Sequence, residues 1–147
     1  MIMDLTNAYN VIKYGLKKAG TKLVQWGKEA PRMLLGALFL FTGLNAFFSF
    51  YQPPEPSTAS INFLMGLNSA VYFFPLLKLV EVLCGFLLVV KRYTVLALTM
   101  LAPIVVNIVA FHVYLDPVNY FFAALSTALY CVVVWQNRNS LKCLLVK

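Results

Sequence analysis

The run TVLALTMLAPIVVNIVAFHVYL, residues 94–115, holds no Asp, Glu, Lys or Arg. Its 22 residues, wound as a helix at about 1.5 Å each, cover the roughly 30 Å hydrocarbon layer of a bilayer. Three further stretches of similar character surround it: Met33–Tyr51, Tyr72–Val90 and Val118–Gln136. Four such segments in 147 residues leave no room for a separate soluble catalytic domain. Apolar residues make up 61% of the chain, charged residues 12%, and mean hydropathy is +0.79, far from an ordinary soluble domain. At bilayer depth each segment must satisfy its own backbone, which selects helices. The strict alternation of a membrane β-barrel is missing. The sequence therefore predicts an all-α integral membrane four-helix bundle, residues 31–136. It is preceded by an N-terminal amphipathic interfacial helix, 1–30, and followed by a short basic tail, 137–147.

Charge placement orients the bundle. Lys13, Lys17, Lys18, Lys22, Lys28 and Arg32 precede the first span, Lys91 and Arg92 separate the second and third, and Arg138, Lys142 and Lys147 lie in the tail. The two remaining connections carry only Glu55 and Asp116. The positive-inside rule puts both termini on the cytoplasmic side. The formal charge of +7 is thus a topology signal. Nucleic acid is not expected as a partner, because the basic residues are divided among three segments beside lipid.

Within residues 1–30, Leu5, Tyr9, Ile12, Leu16, Ala19, Leu23 and Trp26 recur every three or four positions. They form one stripe of a helix, with Lys13, Lys17, Lys18 and Lys22 largely off it. The pattern suits a helix on the inner leaflet, its lysines and Trp26 at anionic headgroups. It equally suits docking to another membrane subunit. Pro53, Pro54 and Pro56 end the first span, a short outer helix is expected over Ile61–Ala70 with a bend before Pro75, and Pro103 should kink the third span.

Chemistry must come from polar groups stranded in apolar surroundings. Counting helical rise places Asn45, Lys78 and Asn107 in one layer slightly outside the centre, with Glu81 a turn below Lys78. Lys78 and Glu81, at i and i+3, share a helical face and can neutralise each other. They read either as an internal ion pair that fixes packing or as a proton-carrying or ligand-binding pair. His112 and Asp116, at i and i+4, are expected to form a hydrogen-bonded pair near the outer boundary. One histidine gives no metal ligand set, and no metal is expected. Cys84, Cys131 and Cys143 form no Cys-x-x-Cys. Aromatic residues crowd the outer half, as an interfacial belt does. They would also suit a flat apolar ligand such as a quinone, or lipid.

The runs GLNAFF (43–48), FPLLKLVEVLCG (74–85) and LAPIVVNIVAFHVYLDP (101–117) resemble the DoxX family of small bacterial four-helix membrane proteins. The likeness covers about residues 31–136, and the basic N-terminal helix is an addition to it. The resemblance implies the bacterial cytoplasmic membrane and an accessory, non-catalytic subunit of a redox-linked complex associated with quinone. It marks Glu81, Asn107 and His112 as positions to test, and no catalytic residue is assigned. It implies no intrinsic cofactor, and other membrane subunits as partners. A small proton-coupled transporter and a purely structural scaffold are the alternatives.

Overall fold

The structure, a computed structural model, describes residues 2–52 and 55–143, except for the side chains of residues 2–6, 8, 11, 19 and 22–24. Leu5, Ala19 and Leu23 of the proposed stripe, and Lys22 off it, therefore have side chains outside the described residues, and Pro53, Pro54 and Lys147 lie outside them altogether. Among the described residues six helices follow in order: α1 (Ile2–Phe48), α2 (Thr58–Ser69), α3 (Phe73–Val89), α4 (Thr94–Tyr114), α5 (Phe121–Gln136) and α6 (Arg138–Lys142). The chain divides into two compact units, Met1–Ala30 and Pro31–Lys147. One helix stands where the sequence reading places two elements, since α1 continues through Pro31. Proline there removes a single amide donor, a loss that helix-forming neighbours on both sides can absorb.

In the first unit, Tyr9, Ile12, Leu16 and Trp26 are all exposed, as are Lys13, Lys17 and Lys18. Lys13 Nζ lies 5.8 Å from the centroid of the Tyr9 ring.

The second unit carries the apolar helices. Among the described residues two segments are long and apolar enough to cross a membrane, Gln25–Phe48 and Thr94–Tyr114. The helices α2 and α3 qualify only as a pair, bent by 97° at the break between them. The 16 residues of α5 rise only about 24 Å. The expected four spans of 19–22 residues are thus corrected at their outer ends. The first helix stops at Phe48, because Ser49 takes a left-handed φ of 50° and the Asn45 side chain folds the chain back. Residues 115–120 form a loop rather than the start of the fourth span. Asn119 closes it by donating from its backbone to Asp116 O (3.3 Å) and from its side chain to the Asp116 carboxylate (3.0 and 3.2 Å). Helix α4 runs unbroken through Pro103.

At three glycines the backbones of α1 and α3 approach closely. A Cβ on Gly36 would stand 2.8 Å from Gly85 O, and one on Gly85 would stand 2.8 Å from both Gly36 O and Leu40 N. Gly43 meets Val82 in the same way one heptad further on. In lipid, where apolar burial between helices contributes little, such backbone approach is what holds helices together. The sealed interior consists of Leu35, Phe39, Cys84, Leu88, Ala97, Leu98, Leu101, Ile104, Val105 and Val133. Tyr130 Oη donates to Leu98 O at 2.9 Å and links α5 to α4.

The end of α3 is capped from three directions. Arg92 N donates to Leu87 O (3.0 Å), Lys91 N to Leu88 O (3.3 Å), and Arg32 Nη1 to Val89 O (3.3 Å). Arg32 is buried, and a cation at a helix C-terminus is favourable. Left-handed backbone at Lys91 and Tyr93 completes this short turn into α4.

Candidate functional site

The site begins with one turn of α3. Lys78 Nζ lies 2.9 Å from both Glu81 Oε1 and Oε2, and also 5.7 Å from the Phe74 ring centroid. Glu81 is 2% exposed, while the Lys78 side chain is 19% exposed. The carboxylate is therefore sealed, and the ammonium reaches an opening. A lysine carries three donors, so two bonds to Glu81 leave one N–H.

That opening is a cleft of about 450 Å³. Lys78, Thr42 and Asn45 border it from α3 and α1, and Phe111 and His112 from α4. Asp116, Asn119, Phe121 and Phe122 border it from the loop and the start of α5. A smaller crevice of about 190 Å³ adjoins it, reaching Glu81 and Asn107 and covered by Phe63, Leu64 and Leu67 of α2. Lys78, Phe111, His112 and Leu64 border both hollows.

The polar groups expected in one layer are shared between these two adjoining hollows. Lys78 and His112 face both hollows, Glu81 and Asn107 only the inner one, Asn45 and Asp116 only the outer. Both ends of the Asn45 amide are engaged by the chain after α1: Nδ2 donates to Tyr51 O (2.8 Å), and Oδ1 accepts from Tyr51 N (2.7 Å). Asn45 therefore positions Tyr51 on the cleft wall instead of meeting Lys78. The expected His112–Asp116 hydrogen bond is also corrected. His112 Nδ1 pairs with Ile108 O at 2.9 Å, one turn back on its own helix, and the Asp116 carboxylate accepts from Asn119. Each group finds a nearer partner where α4 ends and the loop turns away. With Nδ1 donating to Ile108 O, the neutral imidazole offers Nε2 as an acceptor.

Three contributors escape the sequence reading. Ser57 accepts from Ser60 N (3.2 Å) as the cap of α2, and its hydroxyl donates to Leu115 O, fastening the roof helix to the end of α4. A serine just before Thr58 is a recognisable cap signal. Asn119, three residues after Asp116, carries an equally readable turn signal. Arg32 gives none, since nothing in its sequence context distinguishes a helix cap from a topology charge.

The cleft thus offers an ammonium donor and an imidazole acceptor within aromatic walls. Among the described residues, no three His, Cys, Asp or Glu side chains gather as metal ligands do. The DoxX family profile matches residues 28–113, more than half of the chain. The chain belongs to the DoxX family. It is a multi-pass helical membrane protein. No curated protein and no solved structure gives a match. Of the cleft, the DoxX match includes Asn45, Lys78, Phe111 and His112 and ends before Asp116 and Asn119. Residues 1–27, with the amphipathic stripe up to Trp26, lie outside it.

Proposed function

We propose that this DoxX protein is a non-catalytic membrane subunit of a larger, redox-linked complex and that its cleft holds the head of a quinone. The observation that carries this reading is the cleft itself. Its roughly 450 Å³ falls within the range of small-ligand sites, and its lining joins the aromatic Phe41, Phe111, Phe121 and Phe122 to the polar Lys78, His112 and Asp116. A quinone carbonyl would accept the remaining N–H of Lys78, and a quinol hydroxyl would donate to Nε2 of His112. The bound quinone would supply the electron chemistry, while the chain's residues bind and orient it.

A proton-coupled transporter would need polar groups continuing to the opposite face. Inward of Glu81 the buried Cys84, Leu88, Leu35 and Leu98 form an apolar stretch before Arg32 at the end of α3, which disfavours such a path. A purely structural role for the Lys78–Glu81 pair would leave the aromatic cleft without purpose. Anchorage falls to residues 1–30, whose exposed Tyr9, Ile12, Leu16 and Trp26 and flanking lysines suit an anionic lipid surface. The DoxX resemblance implies the bacterial cytoplasmic membrane, and the distribution of Lys and Arg favours both termini inside.

The test is purification from the native membrane in mild detergent, with identification of co-purifying subunits and analysis of the organic extract. Quinone in the extract, reduced several-fold in His112→Leu and Lys78→Met, supports the proposal. A solitary chain without quinone overturns it.

A further inference from the structure

Beside the cleft runs a third hollow, of different chemistry. It lies between α4 and α5 and encloses about 580 Å³. Val109 and Val113 form one wall, and Ala123, Ala124, Thr127 and Ala128 form the other. Small residues at these α5 positions leave the groove unfilled. The one hydroxyl among them, on Thr127, donates to Ala123 O at 2.7 Å, so its polar atom is engaged within its own helix.

The two hollows share a rim. His112 borders both. The loop after α4 divides between them: Asp116, Val118 and Asn119 face the cleft, whereas Pro117 and Tyr120 face the groove. A charged, aromatic chamber therefore opens beside an apolar channel, with one histidine at the junction. A compact polar ligand would use the cleft alone, and a purely apolar one would use the groove alone. An amphiphile with a flat polar head and a long apolar chain uses both.

We infer that the α4–α5 groove takes the isoprenoid chain of a quinone whose head lies in the cleft, with His112 at the join between ring and chain. This rests on the ligand reading proposed above. The groove adds selectivity rather than raw hydrophobic gain, because the surrounding lipid is as apolar as the groove. What it offers the chain is a fixed, shaped contact. Tail-bearing ligands are therefore distinguished from head-only ones by a modest factor.

The experiment uses the full chain in phosphatidylcholine nanodiscs. Two probes are titrated: a benzoquinone without a side chain, and the same ring carrying two isoprenoid units. The comparison protein is Ala124→Leu/Ala128→Leu, which fills the groove from two exposed positions. The tailed probe should lose about tenfold in affinity for the filled variant, a difference of about 1.4 kcal/mol. The head-only probe should bind both proteins alike. Equal binding of the tailed probe to both overturns the inference and leaves the cleft reading standing. Failure of both probes to bind the unaltered protein overturns both readings together. Should the filled variant fail to fold, a tailed quinone with a photoreactive chain end settles the matter on the unaltered protein. Cross-links at Val109, Val113 or Ala128 support the groove, and cross-links confined to other helices overturn it.

Discussion

A sealed carboxylate beside a half-open ammonium makes Glu81 and Lys78 unequal partners. Removing the lysine strands a charge in a dry place, whereas removing both leaves only a packing problem. Lys78→Met should lower unfolding stability in detergent by about 3–5 kcal/mol, and Lys78→Met/Glu81→Leu should recover most of the loss. Thermal melts of the three proteins check this, and a single variant as stable as the parent would show that the pair contributes nothing. The glycines are as unequal as the charged residues. Gly85→Ala drives a methyl to within 2.8 Å of backbone atoms of α1, while Gly66→Ala meets nothing within 4 Å. The first should cost about 1–3 kcal/mol through overpacking. The second should be neutral or slightly stabilising, because alanine is the better helix former. Melting the two variants side by side separates contact from propensity.

At the scale of elements, α2 depends on few ties. Ser57 caps it and binds Leu115 O, and Ser60, buried beside it, returns its hydroxyl to Ser57 O at 2.8 Å. Ser57→Ala should cost about 1 kcal/mol and speed amide hydrogen exchange across residues 58–69 while α3 and α4 remain protected. Uniform exchange across all helices would place the serine's role elsewhere. The α4 span was legible because hydropathy over 94–114 has one physical meaning at that length. The continuous α1 was harder to read. The boundary expected between residues 30 and 31 falls at Pro31, yet the backbone passes through it with the loss of one donor. The cleft was half legible. Stranded polar groups announce that they need partners, so Lys78 and Glu81 could be paired from spacing. The partners of His112, Asp116 and Asn45 depend on where helices end, which hydropathy fixes only to within a few residues. His112 turned to a carbonyl of its own helix, Asp116 to Asn119 and Asn45 to Tyr51, all local choices made at those ends.

For the whole molecule, the division of charge makes a statement about sidedness. Cys143, exposed just after α6, should resist a membrane-impermeant maleimide in intact cells and react after permeabilisation. Labelling in intact cells would reverse the orientation. The first unit adds a second handle. In nanodiscs containing anionic lipid, Trp26 should shift to the blue, read in a Trp135→Phe background so that a single indole reports. Lys13→Gln/Lys17→Gln/Lys18→Gln or molar salt should abolish the shift, since each lysine near the surface contributes about 1 kcal/mol that ions screen. A shift of equal size in zwitterionic discs would mean that charge plays no part.

The brevity of α5 bears on the membrane as well as on the protein. A helix of about 24 Å beside longer neighbours cannot match a uniform slab, so the lipid must pinch inward along that flank. The α4–α5 groove opens on that same flank. A pinched patch costs fractions of a kcal/mol for each ångström of mismatch, and the cost falls when short-chained lipids or other short helices collect there. Acyl-chain length then becomes a control on where this protein settles and on what gathers beside it.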